Sequence, residues 1–439
     1  MSVLRRDDDG YEEARRACVR NARVPDRYPD LIVQTESDDD VITAVRLARD
    51  QGIRIGVRSG GHSWAASFLR DGGILLDLSR MRDAAVDPAA RMAVAQPGLT
   101  GTALNRLLEE HGLFFPTGHC TNVGLGGFLL QGGFGWNSRL WGLACESVRA
   151  IDVVTADGEL VRADASQNAD LFWAARGAGP GFFGVVTRCH LALYPRPAAR
   201  VSTYVYPIEV LDEVLRWTVE IQPSLPRTME LMVFLRRGLV EGSDEPAALV
   251  MGPVLSDSAE AASEHLAILE SCPVRDRALV SEVNQPTTVD ELLAGSDEFY
   301  PFGSRYAVDN MWTEAPIDEL LPGMRRIAST LPASPSHVMW LLWGPPQSRP
   351  DMSFSLEANV YVGLYAIWDD ETDDARHESW VADRMRAMEP LAAGIQLADE
   401  NLGVRPFRFM ADDNLRRLEE LRGRRDPNGL FHSFMGAGA

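Results

Sequence analysis

Lysine is missing from this chain of 439 residues, because all 43 basic residues are arginine. Mechanisms that need a lysine amine, such as Schiff-base formation or general-base catalysis by lysine, are therefore excluded. The same bias is typical of a genome rich in G and C, and from it we expect a bacterial source.

Long apolar runs and an excess of positive charge are missing too. No run approaches the length of a membrane span, and the arginine pair near the N-terminus has no apolar segment behind it. The formal net charge is -20 with basic and acidic residues interspersed, so no electropositive groove is expected. We therefore expect a cytoplasmic protein that binds neither nucleic acid nor membranes.

Cysteine is scarce and widely spaced. An odd number of cysteines in this arrangement argues against both a disulfide framework and a zinc site: Cys18, Cys120, Cys145, Cys189 and Cys272. His119 stands beside Cys120, but two adjacent side chains do not easily converge on one metal ion. We expect no metal site.

The chain is long enough for two domains, and its apolar content of 45% is sufficient to build their cores. Pro195 and Pro197 mark a boundary. From about residue 200 to 400, longer strands such as "SHVMWLLWG" and "NVYVGLYAIW" alternate with acidic helices. This change in the sequence pattern indicates a second, sheet-based domain.

Local patterns predict several elements of the first domain. Helical apolar spacing over 41–52 ends in a glycine, and the short strand "IRIGV" follows it. A capped amphipathic helix is predicted over 100–112. The segment "VRAIDVVTADGELVRA" predicts a hairpin that turns at Asp157 and Gly158.

One histidine follows directly after the "IRIGV" strand, in the segment "RSGGHSW" (58–64). The two glycines before His62 permit a sharp turn or a close approach to a ligand, which would display the side chain. On this segment alone, the favoured interpretation is a structural or merely exposed His62.

The densest glycine stretch of the chain lies at 116–135, "PTGHCTNVGLGGFLLQGGFG". Such a segment lets backbone N–H groups approach an anion, and a pyrophosphate is the usual occupant. The spacing differs from the nucleotide-binding fingerprint of a doubly wound sheet, which would require glycine at Leu129. A different dinucleotide-binding fold is implied.

Three segments together carry a resemblance to a known family: "IRIGVRSGGHSW", "GHCTNVGLGGFLLQGGFGWNSRLWGLACESV" and "DLFWAARGAGPGFFGVVT". They resemble the FAD-linked oxidases of the berberine bridge enzyme group, within the vanillyl-alcohol oxidase superfamily. The tail "NLRRLEELRGRRDPNGLFHSF" resembles the C-terminal segment of that family.

The resemblance implies an α+β fold of two domains. An FAD-binding domain over 1–198 would be followed by an inserted substrate-binding domain with an antiparallel sheet over 199–400. A C-terminal return over 401–439 would complete the FAD domain.

The resemblance also implies covalent FAD. In the family, the histidine at the position of His62 is bonded to the flavin 8α-methyl carbon. In members with two links, a cysteine at the position of Cys120 is bonded to flavin C6. The residues that the resemblance assigns to cofactor binding are His62, Cys120, Arg58, Ser59, Gly60, Gly61, Ser63, Gly118, Asn122, Val123, Gly124, Gly126, Gly127, Gly132, Gly133, Gly135 and Val186.

A flavin ring that is fixed by two covalent bonds needs fewer surrounding residues to hold it in place. An open cleft for a large, rigid, cyclic substrate therefore becomes possible. In the family, a small residue three positions after the cysteine is associated with oxygen access, and Val123 occupies that position. We therefore expect an oxidase that uses molecular oxygen, releases hydrogen peroxide and oxidises an alcohol or a ring C–H or N–H in natural-product metabolism. The alternative is a flavoprotein that binds or sequesters such a compound with little turnover.

The general base is harder to assign. Many relatives carry a Tyr-x-Asn element before the last helix, and the segment that corresponds to it here, "PFRFMADDN", offers Phe407, which cannot accept a proton. Either the alignment differs there, or another element supplies the base, or no strong base is needed. Along "SFSLEANVYVGLYAIW", the catalytic candidates Glu357, Tyr361 and Tyr365 would share one face of a strand. Core packing of the tyrosines and a solvated Glu357 are equally admissible.

Overall fold

A computed structural model describes residues 1–436, and the chain folds into helices and mostly antiparallel sheets, an α+β architecture. The predicted α+β fold class is therefore confirmed. The helices are α1 (Tyr11–Ala17), α2 (Asp38–Gln51), α3 (Gly101–Glu109), α4 (Leu125–Leu130), α5 (Ser138–Trp141), α6 (Ala169–Ala174), α7 (Leu211–Ile221), α8 (Ala259–Leu266), α9 (Val289–Phe299), α10 (Ile317–Ser329), α11 (Asp374–Met388) and α12 (Asp412–Arg425).

A four-stranded sheet opens the chain, with the spatial order β1-β2-β4-β3. Strands β2, β4 and β3 run parallel, and β1 pairs antiparallel with β2. Helix α2 begins after Ser37, whose hydroxyl accepts from the Asp40 N–H, and ends at Gly52 with φ 64°, so the predicted helix and its glycine end are confirmed. The strands are β1 (Ser2–Arg5), β2 (Leu31–Gln34), β3 (Ile55–Arg58) and β4 (Ile74–Asp77).

An antiparallel five-stranded sheet follows, in the order β5-β6-β10-β8-β9. Strands β8 and β9 form the hairpin predicted around Asp157 and Gly158. A further pair, β7 (Leu113–Phe114) and β11 (Tyr194–Pro195), lies beside it. The five strands are β5 (Ala84–Asp87), β6 (Met92–Ala95), β8 (Val148–Val154), β9 (Leu160–Asp164) and β10 (Val185–Ala192).

The middle of the chain forms an antiparallel seven-stranded sheet in the order β15-β12-β14-β13-β17-β18-β16. The longer strands predicted between 200 and 400 belong to it. They are β12 (Ala198–Pro207), β13 (Leu231–Arg237), β14 (Pro246–Ser256), β15 (Val280–Thr287), β16 (Arg305–Thr313), β17 (His337–Leu342) and β18 (Val360–Trp368).

Two main apolar cores lie in the molecule. One draws on residues between 31 and 193 and again on residues from Ile395 to Phe434, whereas the other draws on residues between 204 and 388. The seven-stranded sheet starts at Ala198, beside the expected boundary at 199. The chain rejoins the first core at Ile395, somewhat before the expected boundary at 401. The last residues of the expected C-terminal return, 437–439, lie outside the described residues.

The returning segment is tied to the first sheet through backbone hydrogen bonds. The N–H of Ile55 in β3 donates to the carbonyl of Leu430 at 2.8 Å, and the N–H of His432 donates to the carbonyl of Ile55 at 3.0 Å. The end of the chain therefore lies against the strand that leads into the "RSGGHSW" segment.

Candidate active site

A cavity of about 310 Å³ lies between the two cores. The first core contributes the loops around Gly60 and Gly124 to its lining, and the seven-stranded sheet contributes side chains of β13, β14, β17 and β18. The segment 396–399, part of the returning chain, closes one side. Residues from all three parts of the chain therefore meet in one cavity.

Glycines allow the backbone of the loop around Gly60 to contact the backbone of the loop around Gly124. A Cβ atom on Gly60 would lie 2.7 Å from the backbone nitrogen of Gly124, and one on Gly124 would lie 2.9 Å from the nitrogen of Gly60. Gly61 has φ +73°, and a Cβ there would lie 2.2 Å from the Cys18 carbonyl oxygen. A larger side chain at Gly60 or Gly124 would push the two glycine loops apart. Both loops line the cavity.

His62 follows these glycines and lines the cavity. Its Nε2 atom is buried and has no hydrogen-bond partner among the described residues. Burial, and next the positive charge of Arg20, lower the pKa of His62 to about 3. The imidazole is therefore neutral near pH 7. Buried polar atoms normally have hydrogen-bond partners, so the unpartnered Nε2 indicates that a bound group contacts this side chain.

Cys120 lies on the same cavity. It contacts an aromatic cluster that contains Trp64 and Tyr300. Burial raises the pKa of the Cys120 thiol to about 12, so without a ligand it is a thiol rather than a thiolate. The unpartnered His62, the neighbouring Cys120 and the glycine loops together form a donor set and a cradle that fit an FAD isoalloxazine and its pyrophosphate.

Most of the residues assigned above to cofactor binding line this cavity: Arg58, Ser59, Gly60, Gly61, His62, Ser63, Gly118, Cys120, Val123, Gly124, Gly126, Gly127 and Val186. Asn122, Gly132, Gly133 and Gly135 do not. A Cβ on Gly133 would lie 2.8 Å from the Ala144 side chain, and one on Gly135 would lie 2.4 Å from the Pro116 carbonyl oxygen. These two glycines permit close packing behind the cavity instead of contact with its contents.

A partly buried carboxylate faces the cavity from the returning chain. Asp399 ends a single 3₁₀ turn, Leu397–Asp399. Its Oδ2 accepts hydrogen bonds from the hydroxyls of Tyr361 at 2.6 Å and Tyr365 at 2.9 Å, and its Oδ1 accepts from Trp64 Nε1 at 2.8 Å. All four side chains line the cavity. Trp64 is the last residue of "RSGGHSW", so a hydrogen bond connects the segment that contains His62 directly to the Asp399 carboxylate.

The surroundings of Asp399 tune it as a proton acceptor. Burial raises the pKa of Asp399 above its ordinary value, although its three hydrogen-bond donors oppose that shift. Burial, followed by the negative charge of Asp399, raises the pKa of both Tyr361 and Tyr365 well above 10. The tyrosines therefore remain protonated and donate, and Asp399 is the group that can take up a proton.

Gly363 lets the two tyrosines converge. It lies between them on the same face of β18, and a Cβ there would lie 3.0 Å from the Tyr361 hydroxyl and 2.9 Å from the Tyr365 ring. Both rings lean over this glycine, and their hydroxyls are 3.4 Å apart. Sequence inspection gave this glycine no role.

The structure does not bring Glu357 together with the tyrosines. Strand β18 begins only at Val360, so the alternation that would align Glu357 with them does not extend that far. The Glu357 carboxylate instead accepts from Arg349 Nη2 at 2.6 Å and from Trp343 Nε1 at 2.7 Å, and it does not line the cavity. The expectation that it shares their face is wrong.

Phe407 is also remote from the cavity. Its ring packs against the first core, with the Arg405 guanidinium 5.1 Å from its centre. The cavity is instead lined by Gln396, Ala398 and Asp399, earlier in the same segment. The interpretation that Phe407 replaces a catalytic tyrosine is therefore corrected. Trp136 lines the cavity, whereas Trp340 and Trp343 do not.

These features define a two-domain flavoprotein class, and comparison with known proteins agrees. Residues 29–164 match the family model described as an FAD binding domain. The chain is 37% identical over 431 residues to FAD-linked oxidoreductase ptmO of Penicillium ochrochloron, covering 97% of this chain and 94% of that protein. It is 33% identical over 437 residues to FAD-linked oxidoreductase nodO of Hypoxylon pulicicidum, covering 97% and 94%. The chain belongs to the family of FAD-linked oxidoreductases.

Solved structures share the whole fold. The 6-hydroxy-D-nicotine oxidase of Arthrobacter nicotinovorans superposes with a TM-score of 0.84 at 23% identity, covering 98% of this chain and 96% of that one. The berberine bridge enzyme-like protein 1 of Physcomitrella patens superposes with a TM-score of 0.81 at 20% identity, with the same coverage. At these identities the likeness shows the fold.

The comparisons bear on the expected source of the protein, and the structure bears on membrane-spanning helices. The expected bacterial source is contradicted, because the relatives that share more than 30% identity along nearly the whole chain come from the fungi Penicillium and Hypoxylon. Arginine in place of lysine reflects nucleotide composition, which does not identify a kingdom. Within residues 1–436, no helix has both the length and the apolar character needed to cross a membrane.

Proposed function

We propose that this enzyme is an FAD-dependent oxidase with bicovalent FAD, which oxidises a bulky cyclic compound in natural-product metabolism and passes the electrons to molecular oxygen. The observation that carries the proposal is the cavity that contains His62 and Cys120 together with a partly buried carboxylate, Asp399, hydrogen-bonded to two tyrosines. When bound, FAD supplies two-electron redox chemistry, accepting a hydride equivalent and later reducing oxygen to hydrogen peroxide.

His62 and Cys120 are the residues that hold the flavin in this proposal. The His62 ring is neutral because burial lowers its pKa, so one of its two nitrogens carries a free lone pair, and Nε2 has no hydrogen-bond partner among the described residues. Cys120 becomes a nucleophile only after deprotonation, since burial keeps its thiol protonated in the protein alone. Attachment through both residues orients the ring and leaves the cavity open on the substrate side.

Asp399 accepts the substrate proton through a tyrosine. A substrate hydroxyl that hydrogen-bonds to Tyr365 or Tyr361 passes its proton to the phenolic oxygen while the phenolic proton moves to Asp399. The raised pKa of Asp399 increases its strength as a base, and among the described residues no other acceptor lies as close to either tyrosine hydroxyl. For an alcohol, the substrate loses a hydride and a proton to become a carbonyl compound, and oxygen becomes hydrogen peroxide.

Val123 and the apolar lining support the oxidase assignment. Val123 lines the cavity three residues after Cys120, and a larger side chain there would take up cavity space. The alternative, a flavoprotein that sequesters such a compound without turnover, needs no base, so the hydrogen-bonded assembly of Asp399 and two tyrosines favours turnover.

The experiment uses purified holoenzyme whose flavin has been photoreduced without oxygen. Mixing with aerated buffer is expected to restore the oxidised spectrum within seconds and to yield one hydrogen peroxide per flavin. Reoxidation over many minutes, with rapid reduction of an artificial electron acceptor in its place, would contradict the oxidase proposal.

A further inference from the structure

A second polar pair lines the cavity, and the proposed proton transfer does not use it. His119 Nε2 lies 2.7 Å from Glu230 Oε2, and Glu230 Oε1 accepts a hydrogen bond from the Asn137 backbone N–H at 2.7 Å. Both His119 and Glu230 line the cavity. Because a carboxylate only accepts, Nε2 must carry the proton, and in the neutral ring Nδ1 is then an acceptor.

The surroundings hold this acceptor in place. Glu230 is only 4% exposed, and the edge of the His119 ring packs on Trp136 with centres 4.3 Å apart. In contrast, His119 keeps 29% of its side chain exposed. A buried carboxylate therefore orients a partly exposed imidazole, an arrangement suited to receiving a hydrogen bond from a ligand.

The cavity floor between the two polar ends is apolar. Strand β13 continues from Glu230 with Met232 and Phe234 on the same face, because side chains alternate along a strand. The neighbouring strands add methionine, leucine and tryptophan to that floor, and the apolar side chains of the sheet that line the cavity are Met232, Phe234, Met251, Trp312, Met339 and Leu341. Methionine side chains adapt to irregular apolar shapes, so this floor suits a hydrocarbon skeleton better than a sugar.

Sheet geometry gives the separation of the two ends. Strand β17 lies between β13, which follows Glu230, and β18, which carries Tyr361 and Tyr365. The register aligns Met232 with Leu341 and Leu341 with Tyr361, so Glu230 lies two residues along the strand from the level of Tyr361. With neighbouring strands about 4.8 Å apart and a rise of about 3.3 Å per residue, the backbones at Glu230 and Tyr361 are separated by about 12 Å. A compound of several fused rings has a comparable length.

We infer that the substrate is a rigid, apolar, fused-ring compound that carries its reacting group at one end and a hydrogen-bond donor at the other, with the donor bound by His119. This inference rests on the proposed function, because it places the reacting group at Asp399. Glu230 acts as a positioning residue that fixes the tautomer and orientation of His119.

The test uses two steroids that share one skeleton: androstanediol, with hydroxyls at both ends, and androstanol, with a single hydroxyl. Binding to the holoenzyme is followed anaerobically through the flavin absorbance. We expect the diol to bind about tenfold more tightly than the mono-alcohol, the effect of one well-formed hydrogen bond. Xylobiose, which is polar throughout, is expected to produce no saturable change.

His119→Phe should abolish the preference for the diol, and His119→Gln, whose amide oxygen still accepts, should retain part of it. The matched control is His190→Phe, because His190 also pairs with a carboxylate, Asp152 at 3.2 Å, but does not line the cavity. This control should keep the full preference.

A diol preference that survives in His119→Phe, the absence of binding by either steroid, or tighter binding of xylobiose would overturn the inference. The reoxidation of photoreduced flavin and the hydrogen peroxide yield are measured without any of these ligands. Failure of the substrate inference is therefore distinguishable from failure of the oxidase proposal.

Discussion

The carboxylate of Asp399 lies 2.6 Å from the hydroxyl of Tyr361, although the two residues belong to different parts of the fold. Tyr361 is on β18 of the seven-stranded sheet, whereas Asp399 is on the segment that returns to the first core. The hydrogen bond forms only when the inserted domain and the returning chain are both in place. The proposed base is thus assembled by the overall topology.

Asp399→Asn should slow flavin reduction while leaving flavin binding intact. An amide cannot take up the proton that Asp399 receives, so we expect a loss of about 10²- to 10⁴-fold in the reduction rate. Anaerobic stopped-flow absorbance with any compound that reduces the wild-type flavin measures this. A variant that reduces its flavin at the wild-type rate would exclude Asp399 as the base.

The same residue gives a pH dependence of known sign. Because burial raises the folded-state pKa of Asp399 above 3.8, its contribution to stability is present below that value and is lost as the pH rises through the folded pKa. Asp399→Asn should therefore have a Tm equal to or above that of wild type at pH 7, with the difference shrinking toward pH 4. In contrast, the wild-type reduction rate should fall as the pH is lowered, because Asp399 must be ionised to act. A lower Tm for the variant at pH 7 would contradict this account.

Glu357→Gln should affect stability and leave the pH profile of flavin reduction unchanged. Its carboxylate binds Arg349, which also pairs with Glu146, and all three side chains are largely buried. Weakening this network should cost about 1–3 kcal/mol in the free energy of unfolding, measured by urea denaturation. A hundredfold slower reduction with unchanged stability would restore Glu357 as a catalytic candidate.

Gly363→Ala should impair catalysis through the tyrosines. The added methyl group would contact both rings, so we expect the Tyr361 hydroxyl to move away from Asp399 and the reduction rate to fall at least tenfold, about 1.4 kcal/mol in the activation barrier. Gly295→Ala is the matched control, because nothing lies within 4 Å of a Cβ at that helical position. The control should reduce its flavin at the wild-type rate, and equal effects of the two substitutions would argue against a specific role for Gly363.

Val123→Leu should slow the reaction of reduced flavin with oxygen. The larger side chain would occupy cavity space beside Cys120, while the oxidised spectrum should hardly change. Val161→Leu, in the same domain but away from the cavity, serves as control. Stopped-flow mixing of photoreduced enzyme with oxygen measures the effect, and identical rates for both variants would remove Val123 from the oxygen path.

Local signals in the sequence were sufficient for the elements that frame the site. The cap at Ser37 and the glycine at Gly52 define helix α2, and the loop containing His62 follows β3 as expected. These features depend on neighbouring residues, so a sequence pattern can report them.

The proton-accepting assembly depends on contacts between distant residues. Asp399 is 38 residues from Tyr361 and 34 from Tyr365, so no local pattern connects it with them. The one local signal is Asn401, which gives Asp399-Glu400-Asn401 the spacing of the Tyr-x-Asn element with Asp399 in place of the tyrosine. The alternation of side chains along β18 does not place Glu357 beside the tyrosines, because Glu357 lies before the start of that strand. His119 and Glu230 likewise meet across 111 residues, a contact that no local pattern records.

The most direct test of the account is the state of the flavin in denatured protein. Purified enzyme is precipitated with acid, digested, and its peptides are analysed by mass spectrometry, together with those of His62→Ala, Cys120→Ala and the double variant. We predict that wild-type flavin stays in the pellet, bound to peptides that contain His62 and Cys120, that each single variant keeps one link, and that only the double variant releases its flavin. Release of intact FAD from the wild-type protein into the supernatant would contradict the central claim.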